Sequence, residues 1–117
     1  MAVVADASTL SPTEVAELAA AFRDLINYES ADPTAPIDPL TYRSPDGDTC
    51  LHVAARRGDV RSVALLLKAG ANPNDLGDMK STPLHNAKDP KVIEMLLAAR
   101  ASDKIKNAFG RTPFERV

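Results

Sequence analysis

The chain has 117 residues, of which 44 % are hydrophobic and 26 % charged, and its formal net charge at pH 7 is −2. This length predicts one domain, and the lack of tryptophan and the 4 % of aromatic residues predict an aliphatic core. The sequence has no basic stripe interleaved with aromatic residues, no apolar run of the ~20 residues that span a membrane, and no basic and apolar leader at its start. We therefore expect a cytoplasmic protein without a nucleic-acid or membrane partner.

The charge is distributed unevenly along the chain. Residues 1–45 contain two cations and seven anions, so they sum to −5, and the remaining residues sum to +3. Opposite net charges indicate that the acidic first part and the basic remainder lie close together.

The first 28 residues predict a tail followed by one helix. Residues 1–10 are small and polar, which is typical of a flexible tail. Ser11 can then cap a helix, and Glu14 lies three residues further on, as in a capping box. We expect the helix to run to about Tyr28 and to pack on the rest of the chain through an apolar stripe: Val15, Leu18, Ala19, Phe22, Leu25 and Ile26.

The rest of the N-terminal segment, which spans residues 11–45, predicts a connector. Four prolines between residues 31 and 45 remove backbone donors and disfavour helix, so this part is extended. An ordered strap is our interpretation, because a single short helix must pack on something to be stable. A flexible linker is the alternative.

Residues 46–117 contain a repeated pattern. Thr49 and Thr82 each begin a similar motif 33 residues apart, and Thr112 begins a third copy near the end of the chain. In the first copy we predict a helix from Thr49 through about Arg57, a turn at residues 58–59 and a second helix that stops at residue 70. The second copy is three residues shorter, so its first helix is cut to about one turn and its second helix begins at residues 89–90.

This region resembles the ankyrin repeat family over about three fifths of the chain. The matching motifs are Gly47-x-Thr49-x-Leu51-His52-x-Ala54-Ala55-x-x-Gly58 and Val63-x-Leu65-Leu66-Leu67-x-x-Gly70-Ala71-x-x-Asn74. The resemblance implies an all-α fold, a short helical solenoid of about two repeats plus a partial third, to which the N-terminal helix is added as a cap. It also implies a non-catalytic module that binds other proteins through hairpin tips and the concave face of each first helix.

Carried over by position, the resemblance implies a protein-binding surface on three loops and one helix. Met79 and Phe109 are large apolar residues at equivalent positions, and we expect them to be exposed anchors for a partner. The alternatives are that they fold over their own hairpins or have no function. Lys80 stands where the family usually has glycine, and a positive φ would cost a non-glycine residue about 1 kcal/mol, so we expect this hairpin to be reshaped. The whole surface comprises Asp46, Asp48, Arg56, Arg57, Leu76, Asp78, Met79, Ser81, Lys106, Ala108, Phe109 and Arg111.

No catalytic or metal site is indicated. A tetrahedral metal site needs three or four ligands, and Cys50, His52 and His85 have no recognisable companions. We expect the histidines to bond within their own repeats, Cys50 to be structural, and the protein to need no cofactor. A thiol- or metal-dependent enzyme is a remote alternative.

Two protein-binding roles are compatible with these features. A small bacterial inhibitor or immunity protein that blocks a toxin or enzyme is favoured by the short acidic chain and its use of alanine and arginine. A scaffold or adaptor subunit is favoured by the unfinished third repeat, whose open end also predicts self-association.

Overall fold

Short helices make up all the regular secondary structure of residues 7–115, the part of the chain that this computed structural model describes. The all-α prediction is confirmed for these residues. The α-helices are α1 (Pro12–Ala21), α2 (Cys50–Arg57), α3 (Val60–Lys68), α4 (Pro83–Asn86) and α5 (Pro90–Ala98), and there are two 3-10 helices, Ala7–Thr9 and Asp78–Lys80.

The residues before α1 differ from the expected flexible tail. Residues 1–6 of that tail lie outside the described residues. Leu10 is buried in the core, and the Thr9 hydroxyl donates a hydrogen bond to the Lys68 carbonyl at 3.0 Å. The chain is therefore packed against α3 from residue 9 onward.

Helix α1 begins as predicted and ends earlier than predicted. The Ser11 hydroxyl accepts from the Glu14 amide at 3.1 Å, and the Glu14 carboxylate accepts from the Ser11 amide at 2.9 Å, which completes the capping box. The helix stops at Ala21 and does not reach Tyr28. After Ala21 the amides of Phe22, Arg23 and Leu25 donate to carbonyls three residues back instead of four, so the chain leaves the α-helix in turns. The Asn27 amide then donates to the Pro33 carbonyl, within the connector.

The four later helices form two pairs, as the repeat pattern predicted. Gly58, with φ of 68°, ends α2, and Asp59 caps α3 one residue later. In the second pair, α4 has four residues and Asp89 caps α5. Helix α2 packs on both α3 and α4, and α3 packs on α5, so the two pairs stack as a short helical solenoid.

The core between the pairs is aliphatic, in agreement with the composition. Its largest aliphatic members come from all four helices and are almost completely buried: Leu51, Leu65, Leu66, Leu84 and Leu96. Three side chains of the Pro-rich connector also pack against this core, namely Ile37, Leu40 and Tyr42. The connector is therefore an ordered strap.

Helix α1 packs on the outer side of α3. Of the expected apolar stripe, Leu18 and Phe22 are buried, whereas Val15 and Ile26 are exposed. The expected stripe is therefore too wide, because the helix ends before Ile26 and only one side of it meets α3.

Ion pairs connect the acidic N-terminal segment to the basic repeats, as the charge distribution predicted. Three carboxylates reach cations of α2 and α3, in the pairs Glu14–Lys68 (3.0 Å), Glu17–Arg61 (2.7 Å) and Asp24–Arg57 (2.5 Å). The pKa of Glu14 is lowered by the Ser11 amide and then by Lys68, and the pKa values of Glu17 and Asp24 are lowered by their arginine partners.

Candidate protein-binding surface

One hairpin loop precedes each of the three copies of the repeat motif. These are loop A (residues 43–48), loop B (residues 75–81) and loop C (residues 103–111). Each is closed by a backbone hydrogen bond. The Ser44 amide donates to Asp48 at 2.9 Å, the Gly77 amide to Ser81 at 2.8 Å, and the Asn107 amide to Arg111 at 2.9 Å. The loops are therefore short closed turns that present a few side chains at their tips.

Each histidine supports the loop of the next repeat. The Nε2 atoms of His52 and His85 each lie 2.8 Å from a loop carbonyl, that of Ser81 and that of Arg111 respectively. The Nδ1 atoms accept from the amides of Thr49 and Thr82 at 3.1 and 3.0 Å. This arrangement requires neutral imidazoles with the proton on Nε2. Burial accordingly lowers the pKa of His52. The histidines bond within their own repeats, as expected, and also hold the adjacent loop.

Asp48 is part of the same support. This residue is 7 % exposed, and its carboxylate accepts from the Asp78 amide at 2.9 Å. It also lies 3.4 Å from the Arg56 guanidinium. A Cβ atom on Gly77 would overlap the Asp48 carboxylate and lie 2.8 Å from Nε2 of His52. Asp48 was expected to face a partner, and the structure instead places it inside, joining loops A and B.

The arginines near α2 have different roles. Arg57 was expected on the partner-facing surface, but its guanidinium is engaged within the chain: it binds Asp24, donates to the Ala21 carbonyl at 3.3 Å and lies 5.9 Å from the centre of the Phe22 ring. Arg56 keeps more than half of its side chain exposed. Arg43 has a role that sequence reasoning missed. It donates to the Leu76 carbonyl and pairs with Asp75 at 2.6 Å, which fastens loop A to loop B.

The tips of loops B and C lie side by side and carry large apolar side chains. The Ala108 amide donates to the Met79 carbonyl at 2.8 Å, which joins the two loops. Met79 is 55 % exposed and Phe109 is 67 % exposed, so neither folds over its own hairpin. Met79 and Lys80 both have positive φ, 55° and 56°. Lys80 therefore adopts the left-handed conformation that glycine favours, and Met79 before it does the same, so two neighbouring non-glycine residues of this loop carry backbone strain.

We define the tip surface as Met79, Lys80, Lys106, Phe109 and Arg111, all of which are exposed. Sequence reasoning did not include Lys80, although its position in the hairpin next to Met79 was a signal that could have found it. The other expected site residues lie around this set. Leu76 and Asp78 are exposed on loop B, Ser81 is half-buried with its carbonyl occupied, and Asp46 is exposed on loop A.

The described residues do not favour thiol chemistry. Cys50 is completely buried, and burial raises its pKa to about 12. A thiol that stays protonated near neutral pH is a poor nucleophile and a poor metal ligand. Within residues 7–115 no group of three or more His, Cys, Asp or Glu side chains is placed to hold a metal ion. Nor does any helix in that range have the length and apolar character needed to cross a membrane.

Comparison with known proteins gives matches to the repeat region. A model of the ankyrin repeat family matches residues 46–78. The BRCA1-associated RING domain protein 1 of Caenorhabditis elegans is 38 % identical over 71 residues, covering 57 % of this chain and 10 % of that protein. The human mitochondrial disaggregase is 40 % identical over 55 residues, covering 47 % of this chain and 8 % of that protein. The chain therefore spans about a tenth or less of the length of these relatives.

Proposed function

We propose that this chain binds another protein through its tip surface, because residues 46–78 match a model of the ankyrin repeat family, a family of protein-binding modules. The observation that carries the proposal is the pair of exposed apolar side chains, Met79 and Phe109, on two loops that are hydrogen-bonded to each other. A few large apolar residues near the centre of an interface supply most of its binding free energy.

The supports described above favour this use of the loops. The His52 and His85 side chains hold the loop bases, and the Ala108–Met79 bond joins the tips. Loops that are already ordered lose little conformational entropy when a partner binds. The free energy gained when a partner buries Met79 and Phe109 is therefore little reduced by the cost of ordering the loops.

Affinity capture from the native lysate tests the proposal. The chain should capture a protein that a Met79→Ala, Phe109→Ala variant fails to capture, because truncation of such anchors costs about 2 kcal/mol or more each. The matched control is Val15→Ala, Ile26→Ala, which removes two exposed apolar side chains elsewhere. Equal capture by the tip variant and the control would refute the tip surface as the binding site.

Within this function, an inhibitor or immunity protein is the role we favour. The N-terminal segment already covers one side of α2 and α3, through Leu18, Phe22 and three ion pairs, so no neighbouring subunit is needed to cover that side. A cytoplasmic location fits a lone cysteine in reduced form. An inhibitor should abolish the activity of its captured partner at equimolar concentration.

An adaptor is the second candidate, and a different observation favours it. Leu97 on α5 and Phe114 in the third copy are exposed apolar side chains. Apolar groups at the end of a repeat stack are usually covered by a further unit. An adaptor should self-associate in sedimentation experiments, and Leu97→Glu should abolish that association, whereas an inhibitor should be a monomer with or without the change.

A further inference from the structure

The cations of the tip surface are not neutralised within the described part of the chain. Lys80, Lys106 and Arg111 take part in no ion pair among residues 7–115. One exposed carboxylate, that of Asp78, lies on the same loops without an ion-pair partner. The remaining charged side chains of loops B and C are paired, as Asp75–Arg43 and Lys104–Asp103. The tip surface with Asp78 thus has a net charge of about +2.

The cations of the helices are used differently. Arg57, Arg61 and Lys68 all bind carboxylates of the N-terminal segment at 2.5–3.0 Å. The acidic residues of this chain therefore compensate the positive charge of α2 and α3. The charge at the tips of loops B and C receives no such compensation and is available to a partner.

Apolar and cationic side chains alternate on this surface. Lys80 follows Met79 directly, and Phe109 lies between Lys106 and Arg111 on loop C. The Ala108–Met79 hydrogen bond makes the two loops one continuous surface. A ligand that satisfies both kinds of group must carry carboxylates and apolar side chains together. A polyanion without apolar groups would leave Met79 and Phe109 exposed, and a basic segment would be repelled.

We propose that the tip surface binds an acidic segment of a partner protein, in which carboxylates face the lysines and arginine while apolar side chains cover Met79 and Phe109. This inference rests on the protein-binding function proposed above. It specifies the chemistry of the segment that the same surface recognises.

A displayed library of random peptides provides the test, because it needs no knowledge of the natural partner. Selection on the wild-type chain should enrich peptides that are rich in Asp and Glu and also contain Leu, Ile or Phe. The best peptide, made synthetically with a fluorophore, is then measured by anisotropy against three variants. The first variant reverses the tip charges: Lys80→Glu, Lys106→Glu and Arg111→Glu. The second removes the apolar side chains of the tips: Met79→Ala and Phe109→Ala. The third is the control: Arg23→Glu, Lys88→Glu and Arg100→Glu.

The control makes the same change in net charge at three exposed cations outside the tip surface, none of which forms an ion pair among residues 7–115. We expect the tip charge reversal to weaken peptide binding at least about tenfold, and the control less than about threefold. Raising the salt from about 50 mM to about 300 mM should weaken binding to the wild type and have little effect on residual binding to the tip charge reversal.

The outcomes separate this inference from the function on which it rests. Enriched peptides that are neutral or basic, yet lose binding to the Met79→Ala, Phe109→Ala variant, would overturn the acidic chemistry and leave the tip surface as the binding site. Acidic peptides that bind this variant as well as the wild type would overturn both proposals. The inference would also be overturned if selection on the wild-type chain enriched no peptides relative to selection on the charge-reversed variant. Binding of a single-stranded oligonucleotide as tight as that of the best peptide would overturn it too.

Discussion

Replacing Phe22 by alanine should test whether the N-terminal helix is an integral part of the fold. The ring is completely buried in the core, with the Arg57 guanidinium above it. Burial of an aromatic side chain removes about 150–250 Å² from water, which at ~25 cal/mol per Å² corresponds to about 4–6 kcal/mol. Because alanine retains part of this contribution, we expect a loss of about 3–5 kcal/mol in the free energy of unfolding.

Val15→Ala is the matched control on the same segment. Val15 belongs to the same apolar stripe but is 41 % exposed, so its truncation should change the free energy of unfolding by less than about 1 kcal/mol. Urea denaturation followed by far-ultraviolet circular dichroism distinguishes the two variants. With a denaturant slope of ~2 kcal/mol per M, the midpoint should fall by about 2 M for Phe22→Ala and by less than 0.5 M for Val15→Ala.

Equal midpoints for the two variants would refute the reasoning, since α1 would then contribute no buried layer to the cooperative unit. A truncated chain that begins near Thr41 gives an independent check. It lacks Leu18, Phe22 and the three carboxylates that bind α2 and α3. If this truncated chain remains fully folded and monomeric, α1 does not act as a cap.

Three further predictions concern single residues. Burial lowers the pKa of His52, so the neutral ring stabilises the fold above the unfolded value of ~6.5 and this contribution is lost as the pH falls. The loss is at most about 1.4 kcal/mol per pH unit, and urea midpoints measured between about pH 7 and pH 5 should show it. In the His52→Gln variant the dependence of the midpoint on pH should be flatter. Gly77→Ala should destabilise the chain by about 2–3 kcal/mol, because its Cβ displaces the Asp48 carboxylate. Gly110→Ala has no atom within 4 Å of the new Cβ and a φ of 74°, so it should cost only about 1 kcal/mol. Equal shifts in the melting temperature would contradict this difference. Cys50 should react with a disulfide reagent only as fast as the chain opens, so fast labelling in the folded state would show that its burial is wrong.

The beginnings of the helices were predictable because they depend on neighbours in sequence. Ser11, Thr49 and Thr82 each accept from an amide three residues later, so a short motif contains the whole cause. The shortened α4 was also predictable, since a deletion of three residues against the first copy can be counted. The end of α1 was not, because the chain turns away from the helix where Phe22 enters the core beneath Arg57, a residue distant in sequence.

The candidate site was predictable in position but not in the role of each charge. Loop tips project at fixed places in a repeat, so the exposure of Met79 and Phe109 followed from their register. Whether an arginine or aspartate faces a partner depends on what else approaches it in space. Arg57 is engaged by Asp24, 33 residues away, and Asp48 by the amide of Asp78, 30 residues away. Neither contact leaves a signal in the local sequence.

The bonds at the loop bases and between the tips also define a mechanical property. Loop C is held at its base by the ring of His85 and at its tip by the hydrogen bond from Ala108 to Met79, so two contacts restrain its movement. A sideways load on Phe109 therefore passes to loop B and then, through His52, to the start of α2. Met79 and Phe109 should consequently move together, and the distance between them should be set by the stacking of the helices behind the two loops.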